Sequence, residues 1–166
     1  MKTPLWLTVA QAFEGLAEIP GPTSNPVILR WARDIKAPAF FNNDDIAWCA
    51  VAMNRLAMAL QLPLSGTGFD LVRARSFATW GIALPLPTLG AWMVFSRPEG
   101  AHVGLYLGER SDAFLILGGN TRNQFTSAWL KKERLIATRW PVGVPLPTLE
   151  RVLLTDSGEP VSTNEA

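Results

Sequence analysis

The chain has 166 residues, 48% hydrophobic and 17% charged, with a formal net charge of +1. These values describe one globular domain with a real core; they exclude a disordered chain, a charge-driven nucleic-acid binder and a polybasic membrane surface. One cysteine and one histidine exclude an internal disulfide and make a structural zinc site a poor fit.

Residues 1–12 have the outline of a very short signal peptide with an Ala-x-Ala site, but the apolar stretch is short and holds Pro4 and Thr8. An amphipathic helix fits the same region: Trp6, Val9, Ala10, Phe13 and Leu16 follow helical spacing, with Glu14 and Glu18 at polar positions. A first helix of the mature chain is expected, and no stretch approaches transmembrane length. Ile19 to Ser24 is a turn-rich link. Asn25 then caps a second helix with Pro26 at its first position and Val27, Ile28, Trp31 and Ala32 as its buried stripe.

The stretch Asp44 to Leu60 is rich in Ala, Leu and Met and free of Gly and Pro, which predicts a third helix, with Asp44 or Asp45 as N-cap and Pro63 as the stop. Cys49 then lies in or near the first turn, where the helix dipole favours the nucleophilic thiolate. A free cysteine is by itself more often a small core residue. Asn42, Asn43 and Asp45, just ahead of it, are candidates for an oxyanion site, although capping is their commoner role.

The Gly66-Thr67-Gly68 segment lacks the Lys-Ser/Thr of a phosphate loop. Asp70 is expected to cap a helix over 71–80, ended by Gly81. The Leu84-Pro85-Leu86-Pro87 run cannot be a central strand. Strands are predicted at 91–97, 101–109, 113–120 and 135–140. From Val142 onward Pro, Ser, Thr and acidic residues increase. Residues 152–154 are expected to pack and 155–166 to form a loose tail. The expected division is a catalytic domain over 1–141 and a C-terminal extension over 142–166.

His102 opens the second of these strands and Asn120 closes the third. A three-residue hairpin loop at 110–112 pairs 109 with 113, and the same register sets His102 opposite Asn120 on one face. An imidazole beside a side-chain amide is the arrangement that orients a general base: one ring nitrogen faces the nucleophile and the other donates to the amide oxygen. Separately, a structural His and a turn-forming Asn would be ordinary. Together with Cys49 they compose a nucleophile, a base and an orienting residue. The expected layout is α+β, with N-terminal helices on one face of an antiparallel sheet.

Three motifs carry a resemblance: Asp45-x-x-Trp48-Cys49-Ala50 leading a helix, Ala101-His102-Val103-Gly104-Leu105 on a strand, and Gly118-Gly119-Asn120 on the next. In that order they resemble the NlpC-type papain-like cysteine peptidases, and the plan is similar to that of CHAP amidases. Glu18-Ile19-Pro20-Gly21-Pro22, Asn25-Pro26 and the closing Arg139-Trp140-Pro141 resemble a phage- and prophage-associated branch. The resemblance spans roughly 6–141, and the nucleophile precedes the base, unlike in the circularly permuted relatives. It implies peptidoglycan as partner and hydrolysis of a stem-peptide or sugar–peptide amide, with Cys49 as nucleophile, His102 as base and Asn120 as orienter; many relatives carry His at the third position.

Trp48, Asp45 and Trp80 are the candidate substrate-binding residues, the two indoles as groove walls. Neither cofactor nor metal is implied. The leading expectation is an endolysin or prophage lysis enzyme, made in the cytoplasm and acting on the wall by a holin or another route. The alternatives are an antibacterial toxin of the same chemistry and a catalytically inactive wall-binding or phage structural module.

Overall fold

A computed structural model of the chain describes residues 2–154. Three helices, α1 (Leu5–Gln11), α2 (Pro26–Asp34) and α3 (Cys49–Ala59), precede an antiparallel sheet. Its strands are β1 (Ile82–Ala83), β2 (Trp92–Arg97), β3 (Gly100–Glu109), β4 (Ala113–Thr121), β5 (Gln124–Lys131) and β6 (Leu135–Trp140), in the spatial order β1-β6-β2-β3-β4-β5. The architecture is α+β, as expected. No helix among the described residues is long and apolar enough to cross a membrane. The tail expected to be loose, 155–166, lies outside the described residues.

The second helix forms as its sequence dictates: the Asn25 side chain accepts from Val27 N–H and Pro26 takes the first position. The third is shorter at its start than predicted. Asp44 is buried and its carboxylate accepts from Ile19 N–H and Asn25 N–H, so it closes the 19–25 link instead of capping. Trp48 takes the cap position without a side-chain cap bond, and Cys49 is the first helical residue. The helix predicted over 71–80 is instead two 3-10 segments, Gly68–Val72 and Ala74–Thr79, parted at Arg73 by extended backbone. Gly81 does end the second, at φ 62°, and a Cβ there would run into the Trp140 carbonyl oxygen.

The β3–β4 hairpin is tighter than predicted. Arg110 N–H donates to Ala113 O, and Glu109 pairs with Phe114. An irregularity between Tyr106 and Gly108 then restores the expected register, so Tyr106 faces Ile116 and Leu105 faces Leu117. β5 is a strand the sequence reading missed. Its turn has positive φ at both Arg122 and Asn123, the backbone of a type I′ hairpin, without the glycine that usually announces one.

Helix α3 is buried on nearly every side, with Cys49 to Asn54, Leu56 and Ala57 all inside. It contacts α1, α2, β3 and β4. The larger core joins the helices to Trp92, Val94, Val103, Leu105 and Leu117 of the sheet; a second cluster around Met93, Phe95, Tyr106 and Ile116 fills the opposite face. All seven tryptophans are buried. Residues 142–154 strap back onto this body. Trp140 Nε1 donates to Pro145 O, Val152 is bonded to the Tyr106 hydroxyl, and Leu154 N–H donates to Glu109 O. The Glu109 carboxylate, 1% exposed, pairs with Arg151 and Lys132.

Candidate active site

The site begins with the cap geometry at Trp48. Because α3 starts at Cys49, the N–H groups of the first turn have no partners within the helix. Those of Cys49 and Ala50 point towards the cysteine's own sulfur, and so does Val103 N–H from β3. Burial pushes the Cys49 thiol up; the Arg97 guanidinium and these N–H groups oppose that shift without cancelling it.

Val103 reaches the sulfur because the sheet opens beside it. The regular β3–β4 ladder ends at the Leu105–Leu117 pair, and the β4–β5 register shifts between Gly118 and Thr121. Gly119 lies in this irregular stretch. A Cβ on Gly119 would meet the Trp48 ring at 2.6 Å and Ala52 Cβ at 2.8 Å, so α3 approaches β4 over a bare glycine.

His102, the residue before Val103, is 1% exposed. Its Nδ1 lies 2.6 Å from Arg97 Nη2. A guanidinium has only donors, so Nδ1 presents its lone pair there and the proton of the neutral ring sits on Nε2. Nε2 is turned to β4, 3.4 Å from where a Gly118 Cβ would be. Burial, then Arg97, then Arg134 hold the imidazole well below its ordinary pKa. Arg134 lies near through its own bond, Nε to Ser96 O at 2.8 Å. The sequence reading missed Arg97 because it closes a strand at a turn, where a cation usually signals a solvated surface.

Asn120 does not orient His102 in this structure. Its backbone is left-handed, φ 56°, and its Nδ2 donates to Glu18 Oε1 at 2.8 Å. Its Oδ1 is buried with no hydrogen-bond partner among the described residues, so the expected bond from the imidazole is not made. Glu18 Oε1 also accepts from Trp48 Nε1 at 2.7 Å. Burial raises the Glu18 pKa; the Trp48 bond opposes this, and the Asp44 and Asp45 charges add to it. One carboxylate oxygen thus ties Trp48, the residue before Cys49, to Asn120.

The candidate groove walls are core residues. Trp48 is fully buried and its N–H is held by Glu18. Trp80 donates to Pro63 O and packs against Trp92 at 4.5 Å between ring centroids. Asp45 remains on the surface, its N–H bonded to Asn43 Oδ1. A cleft of about 780 Å3 lies elsewhere, lined by residues 2–6, Thr8, Thr88, Leu89, Trp140, Val144, Pro145, Pro147, Thr148 and Glu150. Among the described residues no group of three or more His, Cys, Asp or Glu is placed to hold a metal ion.

The arrangement offers a sulfur nucleophile at a helix start, backbone N–H groups around it, and a neutral imidazole on the neighbouring strand. Comparison with known proteins finds no matching family model, no matching curated protein and no matching solved structure.

Proposed function

We propose that this protein is a papain-like cysteine hydrolase that cleaves an amide of bacterial peptidoglycan, in the stem peptide or at the sugar–peptide link. The observation that carries the reading is the meeting of Cys49, first residue of α3, with the His102–Val103 backbone at the open end of the β3–β4 ladder. In the reaction, Cys49 Sγ bonds to the amide carbon and its proton passes to His102. The imidazolium protonates the leaving amine as the C–N bond breaks. Water then attacks the thioester with His102 as base and releases the acid. The N–H groups at the start of α3 are the donors suited to the oxyanion.

Lysis by a phage or prophage is the biological setting this chemistry fits first; a wall-degrading toxin would use the same steps. One observation favours a second reading, a non-catalytic wall-binding module: the imidazole lone pair is engaged by Arg97.

Digestion of purified sacculi by wild type and Cys49→Ala, with mass spectrometry of the fragments, separates the two. Fragments from wild type alone are the expected result, and their masses identify the bond. Intact sacculi across several wall types and pH values would overturn the hydrolase.

A further inference from the structure

His102 can serve as a base only through a lone pair, and the structure shows where that lone pair is. The proton is on Nε2, which faces β4; the acceptor nitrogen, Nδ1, is held at 2.6 Å by Arg97. Arg97 is half-buried, and its Nη2 reaches the buried ring. Arg134 binds the carbonyl of Ser96, the residue next to Arg97, which sets a second cation beside the first. On β4 the buried Asn120 Oδ1 has no partner among the described residues, so an acceptor stands ready on the strand that Nε2 faces. The basic nitrogen of the ring is therefore occupied by Arg97.

A guanidinium exchanges a neutral imidazole for a carboxylate readily, since the carboxylate adds full charge and a two-point match to the planar fork. We propose that Arg97 is a substrate-operated latch: it holds His102 Nδ1 in the resting protein and is drawn off by a free carboxylate on the peptide substrate, near the scissile amide. The same contact then gives specificity, because an acidic peptide releases the base and its amidated counterpart does not. Arg97 is a substrate-binding residue in this scheme and acts on the chemistry by positioning His102. The proposal rests on the hydrolase reading of the same site.

The single histidine makes the latch directly readable, because a sample labelled with nitrogen-15 histidine gives one pair of imidazole resonances. The full-length protein is titrated with N-acetylalanine and, separately, with N-acetylalaninamide. The expected result is a saturable shift of the Nδ1 resonance with the acid and none with the amide. Arg97→Gln is expected to show the displaced Nδ1 resonance from the start and to ignore both compounds. Arg97→Lys, which keeps the charge without the fork, is expected to respond more weakly than wild type.

Equal responses to acid and amide, no response to either, or an Arg97→Gln protein that titrates like wild type would each overturn the latch. If Arg97→Gln does not fold, the acid-against-amide comparison on wild type decides alone. No hydrolysis enters this readout. Intact sacculi with an acid-specific shift would remove the hydrolase and leave a carboxylate-binding site. Digested sacculi without the shift would do the reverse.

Discussion

Burial and the guanidinium groups of Arg97 and Arg134 keep His102 neutral in the fold, well below its ordinary pKa of 6.5. In the unfolded chain the ring protonates near that ordinary value. Below it the unfolded state binds more protons than the folded state, so stability falls as pH drops through about 6.5. The limiting slope for one proton is about 1.4 kcal/mol per pH unit. His102→Gln removes the titration, so its urea midpoint at pH 5.5 should move closer to its value at pH 7.5 than the wild-type midpoint does. An unchanged difference between the two pH values would show that His102 is protonated in the folded protein.

The residue types of this site were legible in the chain, but their partners were not. Cys49, His102 and Asn120 could be placed on a helix start and two neighbouring strands from capping and pairing rules. That Asn120 would turn to Glu18, and that Arg97 would take the imidazole, depends on a left-handed residue and a break in pairing at 118–121 that no periodic pattern announces.

At the scale of elements, the contact between α3 and β4 is the tightest constraint on the site. Gly119 has no room for a methyl group, because the Trp48 ring and Ala52 are fixed by the buried helix that carries them. Gly119→Ala should cost about 1–3 kcal/mol through overpacking, read as a lower thermal midpoint. It should also push the start of α3 away from β3, so the proposed Cys49-dependent hydrolysis should fall further than the stability loss accounts for. A wild-type midpoint would mean that α3 can shift without penalty.

Elements with strong local signals were predictable: α2 has its Asn-Pro start, and β2, β3, β4 and β6 have apolar runs bounded by turn residues. The misses have separate causes. Asp44 is a good cap by type, but the 19–25 link claims its oxygens. The 71–80 stretch is helical by composition, but its backbone extends at Arg73 and leaves two short 3-10 segments. β5 was hidden because Arg122 and Asn123 adopt a turn that normally advertises itself with glycine.

For the whole molecule, the segment after residue 141 is tied to the body by hydrogen bonds. Residues 142–154 bond to Trp140, Thr88, Tyr106 and Glu109, and Gly108 leaves the space that Leu154 occupies. Ending the chain after Pro141 removes Arg151 and leaves the buried Glu109 carboxylate with Lys132 as its remaining cation among the described residues. An uncompensated buried charge is costly. Truncation there should lower the urea midpoint and speed amide exchange across β3, whereas truncation after Leu154 keeps all of these contacts. Identical exchange in β3 with and without 142–154 would show that the strap carries no load.

The seven buried indoles lie among both helices and strands, from α1 to β6. Their collective emission is therefore an internal optical gauge of the folded fraction: blue while the layers hold, red once water enters. The lone imidazole gives a separate magnetic signal of local state. A variant that dims one and spares the other declares, without any substrate, whether a substitution broke the body or only the switch.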